Sequence, residues 1–131
     1  MNKIVVGILY NNGSILLVRR RVKEGSLHWQ FPAGEVEPEE PESAAIEREI
    51  FEETDVRSQA LSKLGERVHP NSKRLIAYWV CKFISGDSRV KDQDELDTVE
   101  WVRSGEVAQV LGADIFQPVK RYIDSTISDH N

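Results

Sequence analysis

An α/β fold, with helices layered on one sheet, is predicted by three features of the chain. Two apolar runs with β-branched residues flank an Asn-Asn-Gly turn near the N-terminus. A second pair of such runs flanks His69-Pro70-Asn71-Ser72, and two stretches of helical length follow the two strand pairs. Strands mixed with two substantial helices pack as α/β layers around one sheet. A chain of 131 residues is long enough for one domain with a real core, so a single domain over residues 1–131 is expected.

The elements follow in order. Residues 3–10 (KIVVGILY) and 14–20 (SILLVRR) predict a β-hairpin around Asn11-Asn12-Gly13. Residues 23–26 form a polar loop, and His28-Trp29-Gln30-Phe31 leads into Pro32-Ala33-Gly34. Pro38 and Pro41 break the next segment, and Pro41 suits the first turn of a helix over residues 40–54. Residues 60–69 and 74–85 predict a second strand pair, and residues 87–97 a charged connection. Residues 98–102 (TVEWV) alternate as a strand. Ser104 is placed to cap a short helix through Leu111. Asp114 is placed to cap a last amphipathic helix to Ile127, with Ile115, Val119, Tyr122 and Ile123 inward.

Composition excludes several classes. The chain is 40% hydrophobic and 30% charged, an ordinary soluble balance. No apolar run approaches the ~20 residues that span a bilayer, so no membrane partner is expected. The N-terminal run lacks a small-residue cleavage pattern and reads as a strand, not a signal peptide. Cys81 is the single cysteine, which rules out an intrachain disulfide and fits the cytoplasm. A net charge of −5 speaks against stable nucleic-acid binding through a basic surface.

Charge is concentrated in residues 34–56 (GEVEPEEPESAAIEREIFEETDV), which hold ten of the 22 acids and one base, Arg48. The remainder carries 16 bases against 12 acids. Glu49, Glu52 and Glu53 stand at i, i+3 and i+4, so a helix stacks them on one side, where like charges repel. Arg48 and Ala45 share that arc, while Ile46, Ile50 and Phe51 are free to dock on a sheet. Two readings stay open on spacing alone. One is a solvated acidic face, although such faces normally carry Glu–Lys pairs and no Lys occurs here. The other is a site for a hard cation, which prefers carboxylate oxygens.

The same residues resemble the signature of the Nudix hydrolase family, in particular its MutT-type members. That signature reads Gly, five residues, Glu, seven residues, then Arg-Glu-hydrophobic-any-Glu-Glu-any-Gly-hydrophobic. Here it is met by Gly34, Glu40, Arg48, Glu49, Ile50, Glu52, Glu53 and Val56, with Asp55 where the family has Gly. The resemblance implies an α/β/α sandwich with a mixed central sheet flanked by helices. It also implies Mg²⁺-dependent cleavage of a diphosphate linkage by water, with Mn²⁺ able to substitute. Carried over by position, Glu49, Glu52, Glu53 and the Gly34 carbonyl are expected metal ligands, and Arg48 an orienting partner. Asp55 falls where the helix ends, so a left-handed conformation is expected there.

Outside the signature, Glu95 resembles a family glutamate that ligates metal or acts as base, in a loop shared with Asp92, Asp94 and Asp97. Arg20 resembles a phosphate-contacting arginine; Arg19 lies on the opposite face by strand alternation, and Arg67, Lys73 and Arg74 are further candidates. Tyr10, Trp29, Tyr78 and Phe116 are aromatic candidates for a base, each with core packing as the alternative. Asp114 lies where MutT-type members hold a base-recognising residue, with a helix cap as the alternative.

The expected function is therefore hydrolysis of nucleoside triphosphates or modified (d)NTPs to monophosphate and pyrophosphate, with a small nucleotide as partner, by a monomer or homodimer. Ala33-Gly34 and Pro70 favour a second reading, an ADP-ribose or nucleotide-sugar pyrophosphatase. A catalytically silent Nudix module that senses a ligand is the third, and Glu40, Glu49, Glu52 and Glu53, all present, argue against it.

Overall fold

Residues 2–22, 27–112 and 115–128 are described by a computed structural model, in which the apolar runs form a seven-stranded mixed sheet. The strands are β1 (Ile4–Asn11), β2 (Ser14–Arg21), β3 (Leu27–Gln30), β4 (Ala33–Glu35), β5 (Arg57–Val68), β6 (Leu75–Ser85) and β7 (Leu96–Arg103). The helices are α1 (Glu42–Thr54), α2 (Val107–Leu111) and α3 (Gln117–Ser128). Among the described residues, no helix is long and apolar enough to cross a membrane.

The predicted N-terminal hairpin forms, with Asn12 and Gly13 both at positive φ, as a type I′ turn requires. β1 and β2 pair only beside that turn, at Tyr10↔Ile15 and Asn11↔Ser14. Beyond it they diverge. β4 pairs with the start of β1, and β3 with the end of β2. The peptide between Pro32 and Ala33 bridges this opening, and the Pro32 carbonyl accepts the Gly7 amide at 3.0 Å. β6 runs parallel to β1 on its other side, β5 antiparallel to β6, and β7 antiparallel to β2.

Both sheet faces are covered, which is why residues 3–10 read as a continuous apolar run without alternation. Val5, Leu9, Leu16 and Ala77 pack against Ile46 and Ile50 of α1. Val6, Ile8, Leu17 and Tyr78 pack with Val119 and Ile123 of α3 on the opposite face. The result is the expected α/β/α sandwich. Gly7 sets how close α1 lies, since a Cβ there would meet Ile50 Cδ1 at 2.8 Å and Ile46 Cγ1 at 2.9 Å.

Several boundaries differ from expectation, each for a local reason. α1 starts at Glu42, because Pro41 is its extended cap and not part of its first turn. β5 starts at Arg57, and three register shifts along it break the alternation that marks a strand. β7 starts at the fully buried Leu96, hidden in a polar run. β3 and β4 were not foreseen, being four and three residues long. Ser104 does not cap a helix; it opens a 3-10 turn (Ser104–Glu106), and its hydroxyl accepts from Thr126 Oγ1 at 2.8 Å in a buried pair. Asp114 and residues 23–26 lie outside the described residues. Ile115, Val119, Tyr122 and Ile123 do turn toward the core.

Candidate functional site

The acidic arc of α1 is organised by Arg48. Its Nε and Nη2 hold Glu40 at 2.8 and 2.9 Å, and its Nη1 reaches Glu49 at 2.8 Å and Glu52 at 3.3 Å. Nη2 also donates to the Glu35 carbonyl at 3.0 Å, tying the helix to β4. The Arg48 guanidinium, with the Glu37 amide, holds the Glu40 carboxyl at about 2. With Glu37 at 3.3 Å from Nε, one guanidinium spreads over four carboxylates, and each is restrained without being neutralised alone.

Glu53 is different. It is only 5% exposed, and its Oε1 accepts the Ala33 amide at 3.1 Å. Burial pushes its carboxyl up to about 8; the Ala33 amide and Arg20 pull it down, while Glu49 and Asp92 raise it further. Burial likewise raises Glu49, against the pull of Arg48. Gly34 completes this corner, since a Cβ there would collide with the Glu49 carboxylate. Ala45, expected on the carboxylate arc, is fully buried against the sheet. Phe51 meets the sheet only at Arg57, the first residue of β5, and its ring also carries Lys91. Among the described residues, no three His, Cys, Asp or Glu side chains converge as a metal cluster. The hard oxygen donors and the glycine-shaped recess nonetheless suit a divalent cation in chemistry.

Residues 86–95 bring a second set of acids to the C-terminal end of α1. Arg20 pairs with Glu95 at 2.8 Å and Arg19 with Asp97 at 2.6 Å. Of the two, only Arg20 meets this segment, since Asp97 belongs to β7; alternation separates them as expected, with Arg20 on the side of Glu53 and Arg19 on the side of Trp29. Arg19 also covers the Trp29 ring. Arg74 is engaged elsewhere, donating to the Asn2 carbonyl at 2.6 Å. Asp55 closes α1 at φ 64°, ψ 15°, the left-handed conformation expected of it.

On the other side of the β3–β4 connection lies a cleft of about 360 Å³. Trp29, Phe31, Ala33, Arg67, Tyr78 and Phe116 are among its walls. The Tyr78 and Phe116 rings lie 4.9 Å apart, and Arg67 covers Phe116 at 5.1 Å while donating to Tyr78 Oη at 3.2 Å. Flat apolar walls with a few fixed polar groups suit an aromatic ligand. Tyr10 packs against the α3-side core. His69 and Asn71 also line the cleft. Sequence reasoning missed them because a turn between strands shows no periodicity; only their place beside Arg67 reveals them.

A family model described as NUDIX domain matches residues 1–122. The chain is 29% identical over 115 residues to a protein of Mycobacterium tuberculosis named putative 8-oxo-dGTP diphosphatase 2, covering 78% of this chain and 82% of that one. It is 31% identical over 107 residues to a MutT-like protein of Streptomyces ambofaciens, covering 80% of this chain and 66% of that one. A NUDIX hydrolase structure from Nitrosomonas europaea superposes with a TM-score of 0.80 at 21% identity, covering 95% of this chain and 70% of that one.

Proposed function

The chain belongs to the NUDIX family of hydrolases, and we propose that it is a Mg²⁺-dependent pyrophosphohydrolase of nucleoside triphosphates, oxidised ones included. The observation that carries this reading is Glu53. A buried carboxylate with the Ala33 amide as its hydrogen-bond donor lies directly across one peptide from an aromatic cleft. Such an acid is costly to keep charged unless a cation joins it. The name of the M. tuberculosis relative supports including oxidised purine nucleotides among the substrates.

Glu49, Glu52, Glu53 and the Gly34 carbonyl would hold the ion. When bound, it neutralises phosphate oxygens and lowers the pKa of a coordinated water. Arg48 orients Glu49 and Glu52 while leaving each an oxygen lone pair for the ion. Arg20 would offer a guanidinium to the phosphates, and Glu95, its ion-pair partner, would take the proton of the attacking water. Trp29 and Phe116 receive the base in the cleft. Burial favours the protonated form of Glu53, so holding the ion would require it to give up that proton.

A panel of canonical and oxidised triphosphates, ADP-ribose, nucleotide sugars and dinucleoside polyphosphates tests this with Mg²⁺. The expected products are monophosphate and pyrophosphate from a triphosphate. Hydrolysis of ADP-ribose or a sugar nucleotide about tenfold more efficient than any triphosphate overturns the substrate class, and nucleotide binding without any hydrolysis points to a silent sensing module.

A further inference from the structure

The one position at which this chain departs from the family signature is not idle. Asp55 holds both ends of a two-residue grip. Its Oδ2 pairs with Arg89 Nε at 3.0 Å, and its Oδ1 with Lys91 Nζ at 3.5 Å. The backbone repeats the grip: the Arg89 amide donates to the Thr54 carbonyl at 3.0 Å and the Lys91 amide to the Glu53 carbonyl at 3.1 Å. These are last-turn carbonyls that a helix leaves without internal partners. Lys91 Nζ also sits 3.6 Å from the Phe51 ring centre. The last turn of α1 has no base of its own, so the cations that suit its dipole arrive from this distant segment.

The segment is shaped for this approach. Gly86, at φ 109°, lies against the helix end, where a Cβ would come within 2.6 Å of the Asp55 carbonyl oxygen. From there residues 86–95 run as a strap to β2. At that end the Arg21 amide donates to the Glu95 carbonyl at 2.8 Å, and Arg20 holds the Glu95 side chain. Between the two moorings the strap carries Asp92, whose charge acts on Glu53.

We propose that Asp55 is a positioning residue that moors residues 86–95 to the end of α1, so that Asp92 and Glu95 are held beside Glu53. Glycine at this position would satisfy the left-handed conformation and leave the backbone contacts without a side-chain mooring. The proposal rests on the hydrolase reading for its catalytic half. Its structural half stands on the contacts alone.

The test compares the full chain with Asp55→Asn, which keeps the shape and the tolerance for positive φ but removes the charge. Amide exchange at Arg89 and Lys91 is expected to quicken about two- to fivefold, the weight of an exposed ion pair. With Mg²⁺ and a hydrolysed nucleotide, kcat is expected to fall by about the same factor with KM nearly unchanged, and salt is expected to lower kcat less in Asp55→Asn than in the parent. Adding Arg89→Ala to Asp55→Asn is expected to cost nothing further. Unchanged amide exchange overturns the mooring. Quicker exchange with unchanged kcat overturns the positioning role. A parent that hydrolyses no nucleotide in the panel overturns the hydrolase reading and the positioning role together, while exchange still decides the mooring.

Discussion

Ala33 donates its amide hydrogen to Glu53 Oε1 across 3.1 Å, and the same residue lines the aromatic cleft. The acidic corner and the cleft are therefore neighbours through a single residue of the β3–β4 connection.

The first prediction concerns that acid. Because burial raises Glu53 to about 8 from an ordinary 4.5, the folded apo protein binds a proton that the unfolded chain releases. The contribution of Glu53 to apo stability is thus full below pH 4.5 and is lost as pH rises toward 8. Glu53→Gln flattens that slope in thermal melts at several pH values and loses nearly all metal-dependent hydrolysis. A variant that keeps activity within about threefold contradicts a ligand role for Glu53.

Gly34→Ala places a methyl group in the space of the Glu49 carboxylate. β4 pairs with β1 through its backbone, so the fold should survive, with a melt close to the parent. Activity should drop on the order of a hundredfold, because the displaced carboxylate sits about an ångström from its working place. Circular dichroism alongside steady-state kinetics separates the two effects.

Phe116→Leu keeps apolar volume but removes the ring that stacks on Tyr78 and lies under Arg67. Loss of an aromatic partner is worth about two- to tenfold, expected in KM and not in kcat. A change confined to kcat would place the base elsewhere.

Glu42 gives an acid-side prediction. Burial pushes its carboxyl up, but Lys3, the Trp79 indole and Lys63 outweigh this and hold it at about 2. Its contacts lie at 2.7 Å (Lys3), 2.9 Å (Trp79) and 3.1 Å (Lys63). A lowered folded pKa stabilises above the ordinary value and is lost as pH falls from 4.5 toward 2. Glu42→Gln should therefore be less stable than the parent at pH 7, with the gap closing across that window in a pH series of melts.

The legible part of the molecule was the part whose physics is local. The Asn12-Gly13 turn, the arc of Glu49, Glu52 and Glu53, and the left-handed end at Asp55 each follow from residues close in sequence. The aromatic candidates Trp29, Tyr78 and Phe116 were found, but not that they share one cleft, since that depends on α3 folding back over the sheet. The Arg20–Glu95 pair joins residues 75 apart, and no spacing rule reaches so far. Ser104 misled because a capping residue type is also a good buried hydrogen-bond partner, here for Thr126.

The peptide linking Pro32 to Ala33 is held from both directions. Its carbonyl takes the Gly7 amide of β1, and its N–H goes to Glu53. A trans peptide is a rigid plate whose two polar groups point oppositely. The Glu53 carboxylate is thereby surveyed from the sheet as well as from its own helix. If α1 rocks, the acid has a fixed benchmark that does not rock with it, and the distance from carboxylate to cleft is kept by the strands that line the cleft and not by the helix.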